Sequence, residues 1–454
     1  MSTKKLQEAS DKTGIPTKEL KRLLALPYAK GTLPRPIAIK NISFAKEAIG
    51  QLRKELDPYL KQGRKDAQNR VNTAFRLIIC NLIVCVFSKR RLSLAGMEKA
   101  YNKGEYLNSL FLTFRSVNTV TDALIRGKYI TFAKGSKLKK EVNSYKPTKN
   151  LELLLLPLMY EIQEVHKGED KTLVVFKPKK DKVAKATKEG NKLSISTSKA
   201  STKNHTMRRR SYSPDLPKDH PDIAGLKRIN DYLRDVTYAL KSPVKRIYSY
   251  EDPMQGGRLY VRLQGLPDRR ARIRINTLFN GKPVAEVDLS ANHPRMLMAI
   301  DGKKLPQDFY DDIAAKTKTT REQVKFIVTR SIGATGTKIS LKPDVDEKDW
   351  YKTDFILTYP ERDAIWDAIE SGFPTLYSKF FKGNGIYLQG LEGDILMKTM
   401  LALIEQDIPS LPIHDAIYVQ RRSKAIAKKA LEKAWMEVLN VKFKPAIKID
   451  TSVE

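Results

Sequence analysis

The sequence predicts an α+β protein in which a basic, mostly helical region precedes a region of alternating strands and helices. Amphipathic runs at helical spacing fill residues 1–175, whereas short β-rich runs alternate with helical segments after residue 214. Residues 176–213 are rich in Lys, Ser and Thr and poor in large apolar side chains. We therefore expect a mostly helical N-terminal domain (1–175), a disordered basic linker (176–213) and an α+β domain (214–454).

The chain carries a large excess of positive charge, with 84 Lys and Arg against 51 Asp and Glu, a formal net charge of +33. Compact proteins tolerate such a charge mainly when a polyanion neutralises it. A membrane surface is one candidate, but no stretch approaches the roughly 20 apolar residues that span a bilayer. We therefore expect nucleic acid as the partner and no membrane association.

The N-terminal region shows helix signals but no catalytic motif. Its first residues, MSTKKLQEAS, lack the apolar core of a secretory signal, which predicts a cytoplasmic protein. The apolar run at 77–87 predicts a buried helix or strand. Cys80 and Cys85 lie inside this run without other thiol or imidazole ligands nearby, so we expect core residues rather than a disulfide or a zinc site.

After the linker, the elements follow one another in a pattern typical of an antiparallel sheet backed by helices. A helix is predicted at 223–240. Strands are predicted in RLYVRLQ, ARIRIN and PVAEVDLS, and helices at 291–301, 319–332, 358–380 and 389–406. A strand-turn-strand unit in SLPIHDAIYVQ, a helix at 424–438 and a strand in KPAIKID complete the domain.

Two aspartates stand where hydrophobic patterns end. Asp288 closes the strand PVAEVDLS, and Asp415 occupies the tight turn of SLPIHDAIYVQ. Paired carboxylates can hold the metal ions that phosphoryl transfer requires, and magnesium prefers such hard oxygen ligands. Each aspartate has an alternative explanation as a turn or helix-capping residue, so neither is informative alone.

The aspartates belong to an ordered set of motifs. The set comprises the Gly-Arg segment with Gly257 and Arg258, DLSANHPR with Asp288, Ser290 and Arg295, TTREQVKFIVTRSIGATG with Arg321 and Lys325, LQGLEGDILMK with Gln389, Gly390, Asp394 and Ile395, and the His414–Asp415 turn. In order and approximate spacing this set resembles the family A polymerases, and more distantly the single-subunit phage-type RNA polymerases. The resemblance implies a right-hand polymerase palm, an antiparallel sheet backed by helices, with helical fingers.

The resemblance also implies roles for the nucleotide side of the site. Asp288 and Asp415 would hold two Mg²⁺ ions, or Mn²⁺, with the backbone carbonyl of Leu289 completing a site. Arg321 and Lys325 would bind the β- and γ-phosphates of a nucleoside triphosphate, since residues four apart share one helical face. Lys325 could also protonate the pyrophosphate leaving group.

Four further residues would contact the nucleic acid by the same resemblance. Arg258 would touch primer and template, and Arg295, Gln389 and His414 would position the primer end and the minor-groove side of the terminal base pair. For Arg295 and Gln389 the alternative is a buried hydrogen bond with a structural role only.

The chain departs from the family pattern at several nucleotide-binding positions. His293 stands where the DNA polymerases have a glutamate beneath the sugar, and Thr329 and Gly333 replace aromatic residues of the fingers helix. Ala416 replaces a glutamate that often follows the His-Asp pair. These changes put the sugar preference and the stacking of the template base in doubt.

Three hypotheses remain open at this stage. The first is a DNA polymerase without proofreading that extends a primer on a template, in phage or mobile-element replication. The second is a primase or RNA polymerase that uses ribonucleotides, and the third is a catalytically inactive nucleic-acid-binding protein. The N-terminal region could replace the thumb or bind template, primer or a replication protein.

Overall fold

The computed structural model describes residues 3–32, 34–35, 37–39, 42–103, 106–135, 143–164, 173–177, 182–189, 192–199, 219–249, 252–267, 271–341 and 357–452. Over these residues the protein has a mixed α+β architecture with antiparallel sheets, which confirms the predicted fold class at that level.

The N-terminal region is helical, as expected, but it also contains a sheet. Its helices are α1 (Thr3–Thr13), α2 (Thr17–Ala25), α3 (Ile42–Leu60), α4 (Lys65–Ser88), α5 (Tyr106–Ser109), α6 (Phe114–Arg126) and α7 (Lys149–Leu155). Its strands are β1 (Ala29–Thr32), β2 (Ile37–Ile39), β3 (Arg90–Leu94), β4 (Ile130–Ala133), β5 (Asn143–Pro147) and β6 (Ile162–Glu164). Strands β1, β3, β5 and β4 form a four-stranded sheet in that order, while β2 pairs with β6.

Helix α4 is the central core helix of this region. It contains the apolar run at 77–87, and both Cys80 and Cys85 are buried free thiols, as predicted. Among the described residues α4 is also the helix whose length and composition would allow it to cross a membrane. However, 72% of its apolar window is buried inside the protein, and a buried core helix meets the same criteria.

The interval predicted as a disordered linker contains strands. β7 (Val174–Lys177) pairs in parallel with a strand of the second region, so the predicted boundary at 175 falls inside an element. β8 (Lys182–Glu189) and β9 (Lys192–Lys199) form an antiparallel hairpin. The expectation of a linker at 176–213 stays a prediction, and the remainder of this interval lies outside the described residues. Alternation of Thr or Ser with Val, Ala or Ile allows strand pairing even in a Lys-rich segment.

The second region follows the predicted element order. Its strands are β10 (Lys245–Ser249), β11 (Asp252–Tyr260), β12 (Leu278–Phe279), β13 (Lys282–Leu289), β14 (Ser410–Ile413), β15 (Ala416–Gln420) and β16 (Ile447–Thr451). Its helices are α8 (Pro221–Tyr232), α9 (Asn292–Ile300), α10 (Phe309–Thr317), α11 (Arg321–Gly333), α12 (Tyr359–Gly372), α13 (Pro374–Tyr377), α14 (Gly385–Ile404) and α15 (Lys424–Leu439). The predicted strand ARIRIN is wrong, because residues 271–276 form turns, and the predicted helix at 358–380 breaks at Phe373.

Strand β13 is the centre of a five-stranded sheet of β12, β13, β14, β15 and β16. Both β15 and β16 pair antiparallel with its residues 285–288, so they must lie on opposite edges of β13. Val287 and Leu289 are buried, whereas Glu286 and Asp288 are partly exposed. This alternation places Glu286 and Asp288 on one face of β13 and the buried Val287 and Leu289 on the other.

The N-terminal region packs directly against the second region. The Tyr160 hydroxyl donates to the Thr13 carbonyl at 2.8 Å and accepts from the Leu278 amide at 2.8 Å. The Leu240 amide donates to the Met159 carbonyl at 2.9 Å. Buried apolar side chains from both regions form one continuous core.

Candidate active site

The structure brings Asp288 and Asp415 together at one end of the central sheet. Asp288 pairs with Ala416 across the β13–β15 ladder, and Asp415 directly precedes Ala416. The Leu289 amide also approaches the Asp415 carbonyl at 3.4 Å. Two acids from distant parts of the sequence therefore flank the same strand end.

Both carboxylates have a raised pKa, and the charge of Asp415 contributes to the shift at Asp288. Burial and the negative charges of Asp415 and Glu286 raise the pKa of Asp288 to about 8, although Lys325 and Lys448 act in the opposite direction. Burial and the charge of Glu392 raise the pKa of Asp415 to about 6. Because the two groups titrate together, the pair retains a proton near neutral pH. A divalent cation between them would replace that proton.

Left-handed backbone conformations flank both aspartates. His414 has φ 56° in the two-residue turn between β14 and β15, and Ala291 has φ 50° just before α9. Non-glycine residues rarely adopt this region, and such residues are often found at functional sites. Although His414 is exposed, desolvation by the surrounding protein atoms and the charges of Arg274 and Arg258 lower its pKa to about 4.

A buried polar cluster lies beside Asp415. Its centre is Glu392, which is only 1% exposed, and its other members are Arg258, Asn292 and His293. Arg258 Nε donates to Glu392 Oε2 at 2.6 Å, and Asn292 Nδ2 donates to Oε1 at 3.1 Å. His293 Nε2 lies 2.9 Å from Oε1, a short ion-pair contact that is not aligned as a hydrogen bond. We call these four residues the Glu392 cluster.

The Glu392 cluster keeps its carboxylate charged. Burial alone would raise the pKa of Glu392, but His293 and Arg258 outweigh it and lower the pKa to about 2. The cluster also joins separate elements, because Asn292 belongs to α9, Arg258 to β11 and Glu392 to α14. Trp435 of α15 adds a fourth, since its indole Nε1 donates to Asn292 Oδ1 at 3.2 Å.

Two glycines allow α14 to lie against β11. A Cβ atom at Gly393 would lie 2.0 Å from the Gly257 carbonyl oxygen, and one at Gly390 would lie 2.8 Å from the Gly256 carbonyl oxygen. Side chains at these positions would push the helix away from the strand. The sequence motifs around Gly257 and Gly390 are therefore neighbours in space, and their contact sets the position of Arg258.

The predicted triphosphate-binding cations lie on α11. Lys325 is exposed and its charge acts on Asp288, yet its amine forms no hydrogen bond or ion pair within the described residues. Arg321 is partly neutralised by Asp311 at 3.4 Å and Glu322 at 3.2 Å. Thr329, one turn beyond Lys325, is exposed, and its hydroxyl donates to the Lys325 carbonyl at 2.7 Å.

Arg295 and Gln389 have opposite surroundings. Arg295 is buried, and its guanidinium donates to four backbone carbonyls, those of Ser290 at 2.9 Å and of Leu305, Pro306 and Gln307 at 2.7 Å each. This arrangement matches the structural alternative. Gln389 is half-buried, and over the described ranges its amide has no protein hydrogen-bond partner. It therefore remains available to a ligand.

Sequence reasoning missed two residues of this site. Glu392 lies four residues after Leu388 and four before Leu396, both buried, so helical periodicity could have placed it on the buried face of α14. Lys448 pairs with Asp288 across the β13–β16 ladder, but this register depends on a long-range pairing that no local pattern reveals.

The donor atoms around the two aspartates suit a hard divalent cation. Asp288, Asp415 and the Leu289 carbonyl offer only oxygen, which favours Mg²⁺ or Mn²⁺ over metals that prefer sulfur or imidazole. In the part of the chain that the structure describes, no group of three or more His, Cys, Asp or Glu residues could hold a metal ion.

The interpretation of this site depends on the residues described above, because two comparisons with known proteins give no match. No protein-family model matches the chain, and a search of the curated proteins gives no significant match.

Proposed function

We propose that this protein is a template-dependent nucleotidyltransferase, in the first instance a DNA polymerase without proofreading that extends a primer. The observation that carries the proposal is the convergence of Asp288 and Asp415 at one strand end. The charge of Lys325 on α11 acts on Asp288. In this proposal the central sheet with α14 and α15 corresponds to a polymerase palm, and α10 to α12 correspond to the fingers.

In this proposal, different residues of the chain bind the metal ions and the triphosphate during nucleotidyl transfer. Asp288, Asp415 and the Leu289 carbonyl would hold two Mg²⁺ ions, which supply Lewis acidity to the attacking and leaving oxygens. The Lys325 amine, which forms no hydrogen bond or ion pair within the described residues and acts on Asp288, would bind a triphosphate oxygen and donate a proton to the departing pyrophosphate. Arg321 adds a second cation once a phosphate displaces its acidic partners.

The nucleic-acid side of the site rests on charge and exposure. A net charge of +33 favours a phosphate backbone as partner. His414 directly precedes Asp415 and is exposed, Gln389 is half-buried on α14, and Arg258 keeps about a quarter of its side chain exposed (24%) while bound to Glu392. We assign these three residues to the primer-template and leave Arg295 as a structural residue.

One observation favours ribonucleotides as the alternative substrate. By the resemblance, His293 would stand beneath the sugar, and its Nε2 atom lies 2.9 Å from Glu392 Oε1. A histidine there replaces the acidic side chain that the DNA polymerases of this family carry. Sugar preference must therefore be measured with both nucleotide types.

A primer-extension assay tests the proposal. Wild-type protein should extend a primer with deoxynucleotides in the presence of Mg²⁺, and Asp288→Asn or Asp415→Asn should lower the rate by at least about 10³-fold, because metal ions contribute several kcal/mol. Asp450→Asn, an acid on the same sheet that is bound by Arg272, is the matched control and should change the rate less than about threefold.

The same assay separates the other hypotheses. Incorporation of ribonucleotides without a primer supports the primase or RNA polymerase alternative. Nucleic-acid binding without any incorporation supports an inactive binding protein. Near-normal extension by both aspartate variants would remove the metal role and with it the proposed mechanism.

A further inference from the structure

Four ionisable side chains lie close together on one face of the β13–β16 pair, and Lys448 is the exposed one among them. In the antiparallel β13–β16 ladder Glu286 pairs with Asp450, and Asp288 pairs with Lys448. Residues directly opposite each other in such a ladder point to the same face, with Cβ atoms about 5 Å apart. Lys448 is therefore the immediate neighbour of Asp288 on the edge opposite Asp415.

Two of these four charges are already neutralised by arginines. Arg274 binds Glu286 at 3.1 Å, and Arg272 binds Asp450 at 3.1 Å. In contrast, neither Asp288 nor Lys448 takes part in an ion pair within the described ranges, although Lys448 is exposed. The remaining acid and cation are Asp288, which belongs to the proposed metal site, and Lys448 beside it.

A simple cross-strand attraction between Lys448 and Asp288 is the structural alternative. Cross-strand charge pairs contribute less than about 1 kcal/mol, and Asp288 and Lys448 form no ion pair with each other within the described residues. If Asp288 binds a divalent cation, Lys448 would face a like charge at short range, which is unfavourable. An anion placed between the metal site and the Lys448 amine removes this repulsion.

We propose that Lys448 is a phosphate-binding residue that contacts a backbone phosphate of the primer-template beside Asp288. This inference rests on the proposed function. Lys325 supplies a cation from helix α11, whereas Lys448 approaches Asp288 from strand β16. Two cations on separate elements suit two different phosphates, one of the nucleotide and one of the nucleic-acid backbone.

The salt dependence of nucleic-acid binding tests the proposal without requiring turnover. The affinity of wild type, Lys448→Ala and Lys448→Gln for a primer-template duplex is measured over a range of salt concentrations. Loss of one phosphate contact should lower the slope of log K against log salt by about 0.9. Lys442→Ala, an exposed lysine in the segment before β16, is the control and should leave the slope unchanged.

A second measurement identifies the source of the phosphate. The nucleotide concentration that gives half the maximal extension rate is compared for the same variants. A smaller salt slope with unchanged nucleotide dependence supports the backbone phosphate. An unchanged slope with a nucleotide requirement raised about tenfold assigns the contact to the triphosphate instead and overturns the backbone assignment. If both quantities match wild type in both variants, Lys448 binds no phosphate.

The binding measurement also keeps the two proposals apart. Should wild-type protein bind the duplex but incorporate no nucleotide, the proposed polymerase function fails while the salt slope still tests Lys448. Should wild type extend primers normally with Lys448→Ala showing the wild-type slope, only the Lys448 inference fails. Melting temperatures of the variants check that β16 remains folded.

Discussion

Asp288 and Asp415 lie side by side, yet their surroundings differ. Asp415 faces the Glu392 cluster, in which a carboxylate that is 1% exposed binds Arg258, Asn292 and His293. Asp288 faces Lys325 and Lys448, two exposed amines without ion-pair partners in the described part of the chain. Asp415 thus lies beside a buried, hydrogen-bonded cluster, whereas Asp288 lies beside two exposed amines.

This difference indicates a division between positioning and binding. A buried network of ion pairs and hydrogen bonds fixes its neighbours because displacement leaves polar groups unsatisfied. Exposed cations next to an acid do little for the fold but are ready to bind phosphate. We therefore expect substitutions in the Glu392 cluster to affect stability first, and substitutions on the Asp288 side to affect ligand use first.

The largest effect on stability is expected for Glu392→Ala. Removal of this carboxylate leaves Arg258 without its partner, and breaking a buried ion pair costs about 3–5 kcal/mol. Because Arg258 is 24% exposed, we expect the lower end, about 3 kcal/mol in the free energy of unfolding. Denaturant unfolding monitored by circular dichroism measures this loss.

A surface pair provides the control for this prediction. Glu405→Ala breaks the contact with Arg228, where both side chains are more than half exposed (61% and 53%), and should cost less than about 1 kcal/mol. Equal losses in the two variants would mean that the Glu392 cluster does not hold the site together.

The second prediction concerns the open side. Lys325→Ala should lower the efficiency of nucleotide use by about 10- to 100-fold, because it removes a charge that stabilises the triphosphate. Its stability should change by less than about 0.5 kcal/mol, since the side chain is exposed. Steady-state extension at varied nucleotide concentration measures the first quantity and thermal unfolding the second.

Lys316→Ala is the matched control, because Lys316 is an exposed lysine on the neighbouring helix α10. It should behave like wild type in both measurements. A similar loss of nucleotide efficiency in Lys316→Ala would indicate a general effect of surface charge instead of a site at Lys325.

The third prediction uses pH to compare the two states of Asp288. Its pKa is raised to about 8 in the folded protein without metal, whereas an unfolded aspartate titrates near pH 4. The folded state therefore holds a proton that the unfolded state lacks between these values, and stability falls as the pH rises from about 4 to about 8. Asp288→Asn should become progressively more stable than wild type over this range.

At pH 8, Mg²⁺ should make wild type more stable than Asp288→Asn. The cation stabilises wild type because it binds the ionised pair, and it should have little effect on Asp288→Asn. Unfolding curves measured in chelator and in Mg²⁺ at pH 5 and pH 8 give the free energy of unfolding of wild type and of Asp288→Asn under each condition. Parallel pH profiles of wild type and variant would exclude a raised pKa at Asp288.

Local patterns predicted much of this arrangement, and long-range pairing accounts for what they missed. The period-2 alternation around Asp288 and the turn at Asp415 identified two strand ends correctly. By contrast, ARIRIN has the alternation of a strand but forms turns, in which Arg272 and Arg274 reach acids on β16 and β13. Alternation of apolar and polar residues alone cannot distinguish a strand from a turn whose arginines bind distant carboxylates.

The same limit explains which site residues were missed. Lys448 became visible only through its register with Asp288, whereas helical spacing could have indicated that Glu392 is buried but not which partners it binds on other elements. Arg295 illustrates the opposite case. Its position in DLSANHPR suggested a ligand contact, but four backbone carbonyls already surround its guanidinium, and sequence alone does not reveal which carbonyls will point at a side chain.

The smallest effect on stability is expected at Gln389, which tests whether an unsatisfied polar group on α14 serves a ligand. Gln389→Ala should change the free energy of unfolding by less than about 0.5 kcal/mol, because the amide has no protein hydrogen bond in the described residues to lose. It should instead weaken primer-template use about five- to tenfold, the value of one hydrogen bond of about 1–1.5 kcal/mol. Arg295→Gln should do the reverse, with a stability loss of about 2 kcal/mol from its unsatisfied carbonyls and wild-type primer-template affinity at temperatures where it stays folded. If Gln389→Ala extends primers as well as wild type, the open side of the site ends at Lys325 and Lys448, and α14 contributes only the Glu392 cluster.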